Sequence, residues 1–347
     1  MTESTQTPSE RPSKAKALFL EIRAPFLTAS ITPVLLGTAI AWGTMGTFLW
    51  DVFLLSLIAG VCLHIAANVS NDYFDHTSDN TGSDDINREF IRPFTGGSRM
   101  IQLGYLTPRE VLAEAVVFFA IAGIIGVYLA LTIDIFILVL GVIGAGSGFF
   151  YTAPPFRFVK RGIGEVFIGL NFGVLMTFGA YYVQAVQFVW EPIIASVPLA
   201  LLIAGVLYIN EFPDFNADRD AGKRTIVVRL GRKHAAKGYA FIILLTLAWN
   251  PIFILFQMIA FESLLALTIL PLAYIGVKTA LRCYDNPPQM VPSNVATIMM
   301  HLLIGIYMTV GYVLLGFSAD LFIIALVSIV MFVIVLYYYR KLTTPPG

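Results

Sequence analysis

Ten stretches of this chain are each apolar for roughly the 20 residues a helix needs to cross a bilayer, and that repetition excludes most folds before any motif is read. They lie near 24–44, 51–73, 109–131, 134–151, 165–188, 192–212, 237–259, 262–282, 293–316 and 320–339. In hydrocarbon every backbone N–H and C=O must find its partner within the chain, so separate runs of this length form helices. The expected fold is all-α, a polytopic bundle of nine to ten transmembrane helices. With 57% of its 347 residues hydrophobic and only 13% charged, the composition excludes a soluble domain.

Charge placement tests the count independently, because Lys and Arg collect in the short loops on the cytoplasmic side. With ten spans, all 22 Lys and Arg fall on one face: in the N-terminal tail, after the second, fourth, sixth and eighth runs, and at the C-terminus. The opposite loops carry only acids, Asp51, Asp134, Glu191, Glu262 and Asp320. The pattern places both termini in the cytoplasm and the chain in the cell membrane. Residues 1–16, rich in Thr, Ser and Pro, read as a disordered tail, and 17–347 as one membrane-embedded domain. Cys62 and Cys283 lie inside apolar runs and suggest neither a disulfide framework nor a zinc site.

Against this background two acidic clusters stand out, NDYFDHTSD at 71–79 and DFNAD at 214–218, each at the cytoplasmic end of an apolar run. Carboxylates beside hydrocarbon are costly, and helix C-termini disfavour negative charge, so a functional reading outweighs simple capping. On a helix Asp72, Asp75 and Asp79 fall within an arc of roughly 60°, and Asn68 continues the stripe into the membrane. Asp218, Asp214 and Asn210, spaced by four, make a second stripe. Clustered carboxylates without Cys or dense His favour Mg²⁺, which bridges one or two carboxylates to phosphate oxygens. Arg92, Arg99, Lys223 and Arg224, with Arg157, Lys160 and Arg161, supply counter-charge that fits a diphosphate. Such a headgroup at the rim of an apolar bundle suggests an isoprenyl diphosphate. Its departure would leave an allylic cation, which a dry chamber lined by some of the 27 Phe and 15 Tyr could shield until an electron-rich acceptor captures it.

The first cluster fits NDxxDxxxD, and the second reads NEFPDFNADRDAGKRTIVVRLG from Asn210 to Gly231. Together they resemble the UbiA superfamily of intramembrane prenyltransferases, and the likeness runs from about residue 20 to 316. The resemblance implies a helical bundle around a central cavity, with Asn71, Asp72, Asp75, Asp79, Asp214 and Asp218 as metal and diphosphate residues. Among these, Asp72, Asp75, Asp214 and Asp218 are the expected catalytic set. Asn68, Tyr151, Asn210, Arg99, Lys223 and Arg224 are expected ligands of the substrates. It also implies one span fewer than is read here, so the run at 320–339 reads as an extra C-terminal helix. GGSRMIQLGYLTP (96–108), YTAPP (151–155), GIGE (162–165), GAYYVQ (179–184) and AGKRT (221–225) are most similar to menaquinone-pathway enzymes that prenylate 1,4-dihydroxy-2-naphthoate. Two positions depart from the pattern: Pro213 where the family often has Arg, and Glu211 where it often has Asn.

The function implied is Mg²⁺-dependent transfer of a polyprenyl group to an aromatic acceptor, with the lipid bilayer as setting and neither nucleic acid nor an obligate protein partner implied. Alternative acceptors are 4-hydroxybenzoate, homogentisate or chlorophyllide, and a different class of function is a cation-coupled secondary transporter. Several residues admit two readings. His64 and His301 can be packed or catalytic, Glu165 a helix cap or an acceptor-site group, and Arg99, Lys223 and Arg224 lipid-facing charges or diphosphate ligands.

Overall fold

The computed structural model describes residues 12–77 and 97–343. Its helices are α1 (Lys14–Glu21), α2 (Thr28–Met45), α3 (Trp50–Thr77), α4 (Pro108–Thr132), α5 (Phe136–Phe149), α6 (Gly164–Gly169), α7 (Met176–Ala185), α8 (Glu191–Asp220), α9 (Ile226–Leu230), α10 (Arg232–Leu255), α11 (Leu270–Cys283), α12 (Val291–Gly316) and α13 (Leu321–Thr343). Among the described residues nine helical segments are long and apolar enough to cross a membrane. The fourth apolar run forms only the 14-residue α5. A π-helical turn at Leu170–Leu175 joins α6 to α7 into one span, and 3₁₀ turns precede α2, α11 and α12.

Local signals set several boundaries. Thr107 and Glu110 form a reciprocal capping box at the start of α4, with Pro108 in the first turn where no N–H is needed. The tail expected over 1–16 lies outside the described residues as far as 11. Its last three residues are already helical, because Ser13 caps α1 by accepting the Lys16 N–H at 3.4 Å. Arg23, in a left-handed conformation with φ 57°, then breaks the chain before α2. Both acid-bearing helices continue past their apolar runs, α3 to Thr77 and α8 to Asp220, so the polar stripes keep helical phase.

Two prolines inside α8 remove backbone donors, and in each case a neighbouring helix repairs the loss. Pro198 leaves the Ile194 carbonyl without its partner four residues on, and Trp249 Nε1 donates to it at 2.9 Å. Pro213 does the same to Ile209, whose carbonyl accepts from Asn294 Nδ2 at 3.3 Å. Gly173 lets the π turn press on α8, since a Cβ there would come within 2.3 Å of the Ala200 Cβ.

The largest core joins α2, α8, α10, α11 and α12 through Leu36, Leu199, Ile209, Ile243, Leu272 and Ile304, and Met331 and Val335 dock α13 onto it. The other half carries two smaller clusters. Ile65 and Val69 of α3 meet Val111 and Ala115 of α4 in one. Val52 meets Leu129, Ile137 and Phe178 in the other. Between these clusters α3, α4, α5 and α7 border a cavity.

Candidate active site

The C-terminal ends of α3 and α8 face each other across a polar cavity of about 240 Å³. Asn68, Asn71 and Asp75 line it from α3, at intervals of three and four residues. Glu211, Asp214 and Asp218 line it from α8 with the same spacing, and Asn210 lies beside Glu211. Tyr151, Lys223 and Thr225 complete the floor, Arg23 and Gly97 the rim. Of the residues expected from sequence, Asn68, Asn71, Asp75, Tyr151, Asn210, Asp214, Asp218 and Lys223 are therefore gathered in one place.

The remaining ones are not. Asp72 is 7% exposed and absent from the lining; its Oδ2 accepts the Ser98 N–H at 2.7 Å, so it holds the returning chain against α3. Gly97 passes so close that a Cβ would sit 2.4 Å from Asp72 Oδ1, which explains glycine there. The Ser98 hydroxyl donates in turn to Glu21, which is wholly buried. Of the expected stripe, Asn68 and Asp75 line the cavity together with Asn71, and Asp72 lies behind Gly97 at its edge. Asp79 lies outside the described residues. Arg99 takes a left-handed φ of 63° beyond the rim, and exposed Arg224 turns outward while its N–H donates to the Lys160 carbonyl at 3.3 Å. Arg229 ties the two adjoining loops together, its Nε donating to the Arg224 carbonyl at 2.9 Å and its Nη2 to that of Arg161.

A second cavity, about 220 Å³ and almost wholly apolar, opens from the first towards α4 and α5. The two share a wall of His64, Asn68, Asn71, Tyr151, Ile168 and Phe172. Among the described residues Phe119, Tyr151 and Phe172 supply rings to its lining, as expected of some of the Phe and Tyr, and six glycines also border it. His64 sits at the junction, hydrogen-bonded to Ser30 and against Phe172 with ring centroids 4.5 Å apart.

The sequence profile of the UbiA prenyltransferase family matches residues 30–291, a range that includes both acidic helix ends and all of the apolar cavity's lining. The chain belongs to the UbiA family. It is 31% identical over 313 residues to 1,4-dihydroxy-2-naphthoate octaprenyltransferase of Escherichia coli, covering 88% of this chain and 98% of that one. It is 28% identical over 315 residues to 2-carboxy-1,4-naphthoquinone phytyltransferase of a Synechocystis species, covering 90% and 98%. Among solved structures, a UbiA homologue from Aeropyrum pernix K1 superposes with a TM-score of 0.58 at 17% identity, over 83% of this chain and 96% of that one. A UbiA homologue from Archaeoglobus fulgidus bound to DMAPP and Mg²⁺ gives 0.52 at 16% identity, over 87% and 98%. The protein is a multi-pass membrane prenyltransferase, which sets aside the transporter alternative.

Within this UbiA chain both departures from the family pattern have structural consequences. Pro213 frees the Ile209 carbonyl, and Asn294, which answers it, also donates to Asn210 Oδ1 at 2.7 Å. The proline therefore recruits α12 to orient a cavity amide. Glu211 is 7% exposed and lies close to Glu165 and Thr225. Glu165 is itself anchored, accepting the Ile226 N–H at 2.9 Å, so it ties α6 to α9 rather than only capping its own helix. Glu211, Arg23, Thr225 and Asn294 were absent from the expected site. Only Glu211 carried a sequence signal, because it precedes Asp214 by three residues on the same helical face.

Tyr151 lies between the membrane segments, where burial first, and then the charges of Glu211, Glu165, Asp75 and Asp218, push its phenol well above the ordinary value. It therefore stays protonated and can donate. Among the described residues no three His, Cys or acidic side chains converge closely enough to hold a metal unaided. The donor set nonetheless suits Mg²⁺, which keeps open positions for phosphate oxygens and water. Carboxylates from two facing helices line the cavity, and Asn71 Oδ1 is buried without a partner.

Proposed function

We propose that this UbiA enzyme transfers a polyprenyl group from its diphosphate to 1,4-dihydroxy-2-naphthoate, with Mg²⁺ as cofactor. One observation carries the reading: a carboxylate-lined cavity and an apolar cavity meet along a shared wall, as an amphiphile with an anionic head and a hydrocarbon tail demands. Asp75, Asp214 and Asp218, with Asn71, would hold Mg²⁺ and the diphosphate, and bound Mg²⁺ would supply charge neutralisation of the leaving diphosphate. Lys223, buried to 9% exposure, adds positive charge, and Tyr151 donates a hydrogen bond at the junction. The allylic carbon then lies beside His64, Asn68 and Phe172, away from bulk water. Water exclusion matters because a captured water would yield the free alcohol.

The naphthoate acceptor is supported by the naming of the relatives from Escherichia coli and Synechocystis. The segregation of Lys and Arg supports a cytoplasmic position for the acidic helix ends in the cell membrane, within reach of a soluble acceptor. The test is mass spectrometry of products from membranes containing the chain, given Mg²⁺, one polyprenyl diphosphate, and the naphthoate, 4-hydroxybenzoate, homogentisate and chlorophyllide in parallel. Prenylated, decarboxylated naphthoate is the expected product. Transfer to another of these acceptors in its place overturns the assignment.

A further inference from the structure

Glu211 has no part in the handling of diphosphate described above, yet it is a buried acid with one oxygen, Oε2, that lacks any hydrogen-bond partner, in a residue lining the polar cavity. Its neighbours are anchored by contacts of their own. Glu165 accepts from the Ile226 N–H, and the Thr225 hydroxyl accepts from the Val228 N–H at 3.3 Å as the cap of α9. An unpartnered buried oxygen of this kind is costly, and a ligand that brings a donor to it removes the cost.

The position narrows which ligand that is. Glu211 lies one helical turn deeper than Asp214, about 4.5 Å along the axis, so it faces what lies inside the diphosphate. A diphosphate has no donor to offer and would be repelled by a carboxylate. Deeper still on the same side of α8, Ile203, Val206 and Leu207 continue the lining as an apolar strip. A flat apolar body with a hydroxyl at its edge matches strip and oxygen together.

We propose that Glu211 accepts a hydrogen bond from a ring hydroxyl of the aromatic acceptor and thereby selects hydroxylated rings over their ethers. The inference rests on the reading of the chain as an aromatic prenyltransferase. It makes Glu211 a specificity-determining residue that the acidic motifs do not include.

The test uses the full chain in detergent, wild type, Glu211→Met and Glu211→Gln, with 1,4-dihydroxy-2-naphthoate and its two mono-methyl ethers as probes. Equilibrium binding of each probe is measured without donor, and KM for acceptor, prenyl diphosphate and Mg²⁺ with it. Met has similar reach without an acceptor oxygen, so Glu211→Met is expected to weaken binding of the dihydroxy probe about tenfold or more. It should bind that probe and one of the ethers alike, while KM for prenyl diphosphate and Mg²⁺ stay within about twofold of wild type. Glu211→Gln keeps an acceptor oxygen and is expected to retain the discrimination, a result a packing role would not give. If Met is not tolerated, discrimination lost in Glu211→Gln overturns the proposal. So does discrimination retained in Glu211→Met, or a shift in Mg²⁺ dependence as large as that for the acceptor, which would mark a metal ligand. Wild-type turnover of the naphthoate with any of these outcomes leaves the prenyltransferase assignment intact. Failure of the wild type to bind or turn over any probe overturns both readings.

Discussion

The two cavities are of similar size, about 240 and 220 Å³, and are made in opposite ways. The polar one exists because particular side chains were put there: carboxylates and amides at fixed phase on two facing helices. The apolar one exists because side chains were left out. Gly60, Gly126, Gly141, Gly144, Gly148 and Gly179 all border it, and at Gly126, Gly141 and Gly179 an added Cβ would meet nothing within 4 Å. The first is vulnerable to losing atoms, the second to gaining them. That asymmetry turns into experiments.

The largest effect is expected from removing a carboxylate. Asp75→Ala and Asp214→Ala each take away several kcal/mol of stabilisation of the departing charge, so kcat should fall by about 100-fold or more, read by radiolabelled prenyl transfer. Next comes adding atoms where none stand: Gly141→Leu should cut turnover of long-chain donors about tenfold while leaving dimethylallyl diphosphate nearly unchanged. Equal loss for all chain lengths would show that the apolar cavity does not hold the tail. Smaller still is the contrast between adjacent cations. Lys223→Ala should raise the KM for prenyl diphosphate several-fold, about 1–2 kcal/mol of a charge-assisted contact, whereas Arg224→Ala should change it less than about twofold. The smallest effect lies behind the wall. Asn294→Ala should lower stability by about 1 kcal/mol in a detergent melt, and less in a Pro213→Ala background, where the Ile209 carbonyl regains a backbone donor.

The same contrast explains what could be read from the sequence. Asp75, Asp214 and Asp218 were legible because charge at the end of an apolar run is conspicuous and helical phase groups it. For Asp72 phase alone does not say which of two adjacent residues lines the cavity; its Oδ2 accepts from the Ser98 amide, behind the lining residue Gly97. Arg224 follows Lys223 directly in the chain, yet only the turn after α8 decides that one is buried and the other exposed. Asn294, far along the chain, could not be connected to Pro213 without knowing that α12 lies beside α8. The apolar cavity was the least legible part. A glycine in a hydrophobic run reads the same whether it packs a neighbour closely or leaves a gap, and composition does not say which of the many rings reach the lining.

The 14 residues of α5 rise only about 21 Å, against a hydrocarbon layer of about 30 Å. Leu138, Val139, Val142 and Ile143 face outward on it, so lipid tails meet this short wall directly. A span this short is matched by thinning of the bilayer, by snorkelling of its flanking residues or by association with another chain. In each case the short wall stands next to the apolar cavity, where a long isoprenoid would exchange places with lipid, so turnover measured in bilayers of different thickness reads what this flank does.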